Sequence, residues 1–379
     1  MTYAILYNPG HNRVYFETSL ALSESEFKIV SGGLSARCEH ARPERIGGVN
    51  YLTFQTDAEL SRTDIDILYG LSFAYAVFGV VKIDGRDGEN GDDGGPRVYS
   101  ESGLDGGPPV YNDSGFDGEP PVYLAPVGKT AEPFVDESIG VILKYTGKTN
   151  ELFTRMMLNI ARGSGSPGRN ARLLDPVAGK GTTLYEGLIK GFDVYGVEID
   201  GDVVNEACNF VKRFLENAKY KYEFSSIRVS GENRSFTALR STFVTAKTKE
   251  DHKKKNHRTI EFVAGSSVHA DKYYIKNFFD MIAGDLPYGV QHGNVTKRKQ
   301  SSLTRNPAEL LGACLPAWAA VLRPGGTMVL AWNANVLPRG AMEALFQNVG
   351  LTVKNDAVYL GFGHRVDQSI YRDIIVAVK

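Results

Sequence analysis

Leu173-Leu174-Asp175-Pro176-Val177-Ala178-Gly179-Lys180-Gly181-Thr182-Thr183 is the stretch that decides the fold. A short apolar strand ends in an acid, the chain turns through a glycine-rich loop, and residues 182–190 then read as a helix. Gly179 and Gly181 supply positions that tolerate positive φ and let the backbone approach a ligand closely. A bare strand–turn–helix would need no more than this. A Walker phosphate loop would, and its Gly-x-x-x-x-Gly-Lys-Ser/Thr spacing is absent because Lys180 is followed by Gly181.

Outward from this loop the chain alternates strand and helix. Residues 149–162 carry Leu152, Met156 and Ile160 at helical spacing, with Thr149 or Asn150 as the N-cap. Residues 193–197 read as a strand, 203–217 as a helix, and 261–263 and 281–283 as strands. A helix over 308–322 and a strand over 327–332 follow, and two strand-like runs, 353–362 and 369–378, end the chain. Such alternation implies an α/β domain with a mostly parallel, Rossmann-like sheet and helices on both faces.

Two further acids end strands. Val194-Tyr195-Gly196-Val197-Glu198-Ile199-Asp200 places Glu198 where ribose hydroxyls are commonly held. A dinucleotide site would serve as well, but its three-glycine fingerprint is missing, and Asp175 stands where pyrophosphate would sit. Asp280-Met281-Ile282-Ala283-Gly284-Asp285-Leu286-Pro287-Tyr288-Gly289 then puts Asp-Leu-Pro-Tyr at the end of a later strand. An exocyclic amine on a base is a poor nucleophile, because its lone pair is delocalised into the ring. The Asp285 carboxylate and a carbonyl near Leu286, accepting its two hydrogens, would favour a pyramidal nitrogen. Pro287 would fix the loop and Tyr288 would stack on the base. The plain alternative is an ordinary strand-to-loop turn, for which Asp and Pro are common.

On these three motifs, residues 140–379 resemble the class I S-adenosylmethionine-dependent methyltransferases. The particular similarity is to the tRNA guanine-N2 methyltransferases and THUMP-associated RNA methylases. The resemblance implies a sheet whose last strand is antiparallel, while residues 1–83 themselves read as a smaller α+β domain. It implies S-adenosylmethionine as cofactor, bound by Asp175, Pro176, Ala178, Gly179, Gly181, Thr182, Glu198, Ile199 and Ser266. Asp285, Leu286, Pro287 and Tyr288 would be catalytic, and RNA, most often tRNA, would be the partner. Gly289, Lys297, Arg298 and Lys299 would grip the substrate. Relatives carry an acid after the third strand to contact adenine; here Gly265-Ser266-Ser267 stands there, leaving that contact to a hydroxyl or to Asp271. Adenine N6 in DNA or RNA is the second reading, a protein glutamine amide the third. A non-catalytic RNA- or protein-binding module on the same fold is the reading from another class.

The rest of the 379-residue chain is less informative. Apolar residues at 42% and charged residues at 23% describe an ordinary soluble protein, without a run of about 18 apolar residues that a membrane span needs. The opening residues 1–7 read as a strand rather than a signal peptide. Cys38, Cys208 and Cys314 lack metal or disulfide spacing, which favours reduced thiols and the cytoplasm. No histidine cluster suggests a metal. The net charge of −1 does not advertise nucleic acid, and Lys247-Thr-Lys through Arg258 reads as a solvated basic loop with phosphate tracking as its alternative. Residues 1–83 form the N-terminal domain, with a hairpin of residues 3–7 and 13–17, helices over 23–30 and 58–69, and a strand over 51–55. Residues 84–125 hold a 12-residue repeat starting at Asp93, Asp105 and Asp117, each copy with one Val-Tyr pair among Gly, Pro and Asp. That is too little apolar surface to offset ordering entropy, so the segment is expected to be a disordered linker. The catalytic domain is expected over 126–379.

Overall fold

The computed structural model describes residues 1–9, 13–82, 110–111, 122–142, 149–168, 170–288 and 307–379. The chain divides into two compact units, residues 1–131 and 132–379.

The first unit contains β1 (Thr2–Tyr7), α1 (Arg13–Ser31), β2 (Cys38–Ile46), β3 (Val49–Thr56), α2 (Arg62–Tyr69), β4 (Ala74–Lys82), β5 (Val110–Tyr111) and β6 (Val122–Val127). Its strands form one antiparallel sheet in the order β2-β3-β1-β4-β6-β5. Ile5, Leu52 and Val77, one from each of three adjacent strands, are fully buried, and Phe27 of α1 and Leu68 of α2 join them in one core. The expected hairpin is corrected: residues 13–17 begin α1. Both edges of β1 are taken, by β3 and β4, so no vacant ladder remains for a hairpin partner. Helix α2 starts at Arg62 rather than 58, because Ser61 and Asp64 form a capping box there. The edge strand β2 is mostly exposed and shows no apolar alternation, which hid it from the sequence.

The unit boundary also differs from expectation. β6 pairs with β4 through Val77↔Val127 to Lys82↔Val122, so residues 122–127 belong to the N-terminal sheet rather than to a linker or the catalytic domain. The second and third repeat copies supply β5 and β6, paired as Val110↔Leu124 and Tyr111↔Tyr123. The rest of the repeat lies outside the described residues.

The second unit contains α3 (Ser138–Ile142), α4 (Glu151–Gly163), β7 (Arg172–Asp175), α5 (Thr182–Ile189), β8 (Asp193–Glu198) and α6 (Gly201–Asn217). It continues with β9 (Lys221–Ser230), β10 (Thr237–Ala246), α7 (Lys249–Lys253), β11 (Arg258–Ala264), α8 (Ala270–Tyr273), β12 (Phe279–Asp285) and α9 (Pro307–Val321). β13 (Leu322–Asn333), α10 (Arg339–Asn348), β14 (Thr352–Val353), β15 (His364–Arg365) and β16 (Tyr371–Val378) complete it. The sheet runs β14-β16-β13-β12-β7-β8-β11-β10-β9, with β15 beside β16. β11, β8, β7, β12 and β13 are mutually parallel, and β16 is antiparallel to β13. The unit is thus a Rossmann-like α/β fold with the antiparallel last strand that was expected. Two features were not: the β9–β10 hairpin, which extends the sheet beyond β11, and residues 354–362, which form no strand. There Asp356 starts a 3-10 turn over Ala357–Tyr359 instead.

The chain leaves β7 toward β8 and β11 on one side and reaches β12 and β13 on the other. The order reverses between β7 and β12, and open α/β sheets bind ligands at the carboxyl ends of strands at such a point. The loop after β7 lies on β8: a Cβ at Gly196 would stand 2.7 Å from the Ala178 Cβ and 3.1 Å from Leu184. Gly196→Ala is therefore expected to lower stability by about 1–3 kcal/mol, read from urea unfolding. An unchanged midpoint would mean that the loop does not rest on this strand.

Candidate active site

Asp285, Asp175 and Glu198 end the adjacent strands β12, β7 and β8, so three acids stand side by side where the strand order reverses. Their surroundings differ, and so does what each can do.

Glu198 is half-buried and faces the glycine loop. One carboxylate oxygen accepts from the Gly179 N–H at 3.0 Å and the other from the Asp200 N–H at 2.9 Å. Burial pushes its carboxyl up, and these backbone donors pull it back. A carboxylate has about four acceptor positions, so acceptor capacity is left over from these bonds. Gly179 has φ 51° and Gly181 φ 94°, both in the left-handed region that favours glycine, and a Cβ at Gly179 would meet nothing within 4 Å. The loop therefore presents bare backbone to open space. Ile199, next to Glu198, leaves 53% of its surface exposed, an apolar platform at the rim. Ala178 is anchored by its N–H to the Val197 carbonyl at 3.0 Å, and Thr182, buried, opens α5. Pro176 is buried between Asp175 and the loop. Ser266 follows β11, where Gly265 N–H donates to the Glu198 carbonyl at 2.9 Å, so it borders the same cleft. Asp271 lies five residues on and pairs with Lys272 at 2.9 Å.

Asp175 was expected among the cofactor-binding residues. It is 3% exposed and turned into the protein, accepting from the Val177 N–H at 3.0 Å and from Thr183. Burial raises its carboxyl to about 7, and the neighbouring Glu198 and Asp285 push the same way. A Cβ on Gly284 would reach its Oδ1 at 3.0 Å, so β12 closes over it. Its role is to hold the strand end and the loop together.

Asp285 is largely buried, its side chain 11% exposed, and well supplied with donors. Thr149 Oγ1 donates to its Oδ2 at 2.8 Å, the Tyr288 hydroxyl donates to its Oδ1, and Arg372 Nη2 lies 3.8 Å from Oδ2. Burial raises its carboxyl; Arg372, Tyr288 and Thr149 oppose that, in this order. The Arg372 guanidinium packs 4.3 Å from the Phe153 ring and 5.2 Å from the Tyr288 ring, and its cross-strand neighbour His364 meets Phe153 edge-on. Tyr288 is thus tethered to Asp285, with Arg372 against its ring, rather than freely available to stack on a base. Leu286 N–H donates to the Ala331 carbonyl at 2.9 Å, and the buried Asn333 donates to Ser369 O at 3.2 Å and Tyr288 O at 3.5 Å. Asn150, not Thr149, caps α4, which releases the Thr149 hydroxyl for Asp285.

Gly289, Lys297, Arg298 and Lys299 lie outside the described residues. The basic loop after residue 247 spans α7 and leads into the amino end of β11, opposite the acid-bearing strand ends, so it does not border this cleft. Arg372, His364, Phe153 and Asn333 escaped the sequence reading as site residues. Arg372 and Asp373 did leave a trace, two charges inside an otherwise apolar strand. Among the described residues, no helix is long and apolar enough to cross a membrane.

No family model matches the chain, and no curated protein does. Solved structures do. TrmN from Thermus thermophilus is similar at 13% identity over 100% of this chain and 99% of that one, with a TM-score of 0.41. A TehB-like SAM-dependent methyltransferase from Corynebacterium glutamicum is similar at 17% identity over 56% of this chain and 82% of that one, with a TM-score of 0.31. Likeness at this level is silent on reaction and substrate, which rest on the residues described above.

Asp175 gives a pH signature. Its folded value of about 7 lies above the ordinary 3.8, so the protonated group favours the native state below 3.8 and that contribution is lost as pH rises through about 7. Asp175→Asn is expected to gain on the wild type as pH rises across this window, by about 4 kcal/mol at most, in urea unfolding. A difference independent of pH would place the Asp175 carboxyl in solvent.

Proposed function

We propose that the chain transfers a methyl group from S-adenosylmethionine to an exocyclic amino group of an RNA base, with guanine N2 in tRNA as the substrate. The observation that carries this reading is the Asp285 carboxylate, buried and oriented at the switch point beside a bare glycine loop and a ribose-competent Glu198. The choice of guanine and of tRNA follows the resemblance of Asp285-Leu286-Pro287-Tyr288-Gly289 to that family's loop.

The cleft residues fit the cofactor. Glu198 keeps acceptor capacity for a ribose hydroxyl, Ile199 offers an apolar surface to adenine, Ser266 a hydroxyl, and Gly179, with open space where a Cβ would stand, allows close backbone approach. Bound there, S-adenosylmethionine supplies an electrophilic methyl group.

The chain's own residues prepare the amine. Thr149 and Tyr288 occupy one acceptor position on each Asp285 oxygen and leave others for the substrate N–H. Accepting that hydrogen draws the nitrogen lone pair out of conjugation with the ring. The same carboxylate takes the proton that the nitrogen sheds once methylated, and burial, which raises its affinity for a proton, assists this. Arg372 keeps the group ionised beforehand. Fixed donors around a buried carboxylate stabilise charge without reorganising.

Transfer of label from tritiated S-adenosylmethionine to unmodified tRNA, rRNA and duplex DNA, followed by nucleoside analysis, tests the reading. N2-methylguanosine in tRNA is expected, lost by about two orders of magnitude or more in Asp285→Ala. N6-methyladenosine would keep the site and replace the substrate. Tight cofactor binding with no transfer to any nucleic acid would leave a binding module or a protein substrate.

Arg372→Met removes the cation that holds the Asp285 carboxyl down, so the acid limb of kcat/KM is expected to move to higher pH. A uniform fall in rate with the limb unmoved would make Arg372 a packing residue only.

A further inference from the structure

The β9–β10 hairpin ends the second unit's sheet, and β9 is its last strand. Natural edge strands are kept short, bulged, covered, or marked with lysine or proline, because their unpaired backbone groups invite another strand. The edge strand of the first unit obeys this: β2 carries Pro43 and a break in register between Glu39 and Arg42. β9 does not. It runs ten residues in unbroken register with β10, holds no proline, and places its one lysine, Lys221, at the first position.

The phase of the ladder decides which backbone groups are free. Gly231 N–H donates to the Phe236 carbonyl at 3.1 Å and closes the hairpin. Antiparallel pairs alternate between those that exchange hydrogen bonds and those that do not. Counted back from Gly231, the odd-numbered residues of β9 bond to β10. Tyr222, Phe224, Ser226, Arg228 and Ser230 therefore turn their N–H and C=O groups outward, and among the described residues no strand receives them.

The strand is its own complement. Phe224 is 49% exposed on one face and Ile227 54% exposed on the other, and the centre of the strand, Phe224-Ser225-Ser226-Ile227, carries no charge. A two-fold axis perpendicular to the sheet pairs β9 antiparallel with a second copy of itself and keeps each face continuous. Side chains alternate between faces, so even-numbered residues then meet even-numbered ones. Only an axis through Ser226 engages all of the outward-turned residues in both copies, which makes about ten ladder hydrogen bonds.

The side chains suit that register. Ser226, small, meets the partner's Ser226 at the axis. Phe224 stands opposite the partner's Arg228, and the symmetry repeats this cation–π pairing on the other side of the axis. Glu223 stands opposite the partner's Val229, so no like charges oppose each other. On the other face Ile227 lies diagonally from the partner's Ile227. We infer that two copies of the chain associate through β9, antiparallel and centred on Ser226, in a closed dimer that leaves no free edge at this end of the sheet.

Sedimentation of the full chain tests this, with a particle of twice the chain mass expected at micromolar concentration. Ser226→Pro removes the outward N–H at the axis and spares the backbone bonds between β9 and β10. It is expected to weaken self-association about a hundredfold, tenfold for each copy, with the far-ultraviolet circular dichroism unchanged. Ser226→Cys reports the register. A short bis-maleimide is expected to join it to its counterpart, beyond any background from the wild type, because directly opposed Cα atoms lie about 5.5 Å apart. Ser230→Cys, about 27 Å from its counterpart, is not expected to be joined. A monomer at every concentration overturns the inference and leaves the edge to an extended segment of another protein. A dimer that survives Ser226→Pro, or that is joined through position 230 rather than 226, overturns it too, because the copies then meet differently.

Discussion

Like charges crowded at the ends of neighbouring strands are the constraint around which this fold is arranged. Asp285, Asp175 and Glu198 end β12, β7 and β8, and each raises the cost of ionising the one beside it. Three solutions coexist within one strand-end row. Glu198 is held by two backbone N–H groups and keeps some contact with solvent. Asp285 is held by a cation and two hydroxyls. Asp175, between them, has no cation of its own and is the one whose proton is retained to about neutral pH. A central acid that holds its proton removes one charge from the crowded row.

The position of Asp285 depends on residues far away in sequence. β16 inserts antiparallel beside β13, bringing Arg372 opposite Asn333 and next to the loop that follows β12. Asn333, fully buried, ties the Tyr288 carbonyl to the Ser369 carbonyl, and its own carbonyl oxygen accepts from Tyr371 N–H at 3.2 Å. Thr149 arrives from the turn before α4, where Asn150 supplies the cap. Carboxylate, phenol, guanidinium and threonine hydroxyl thus meet only once the whole sheet has closed.

The parallel strands and their acids were legible because strand, glycine turn and helix follow each other within a few residues, and local geometry dictates each. The positive φ at Gly179 and Gly181 follows from the same reasoning. Long-range partners were not legible: nothing local to Arg372 or Thr149 shows that they converge on Asp285. Asp175 misled for a related reason, since a strand-ending acid reads the same whether it faces a ligand or the interior. The N-terminal errors were errors of competition. Residues 13–17 carry the strand-favouring run Val-Tyr-Phe, but β1 had two better partners. β2 lacked the apolar alternation because most of its residues are exposed at the sheet edge.

The pairing of β5 with β6 has a genetic consequence. Tyr111 and Tyr123 are the same residue of successive 12-residue copies, and they face each other across the ladder at the sheet's edge. Unequal exchange between such copies inserts or deletes a whole unit, and each unit carries the same Val-Tyr dipeptide. A gene carrying this tract can therefore change its copy number while the ladder, and the buried strands behind it, keep their register.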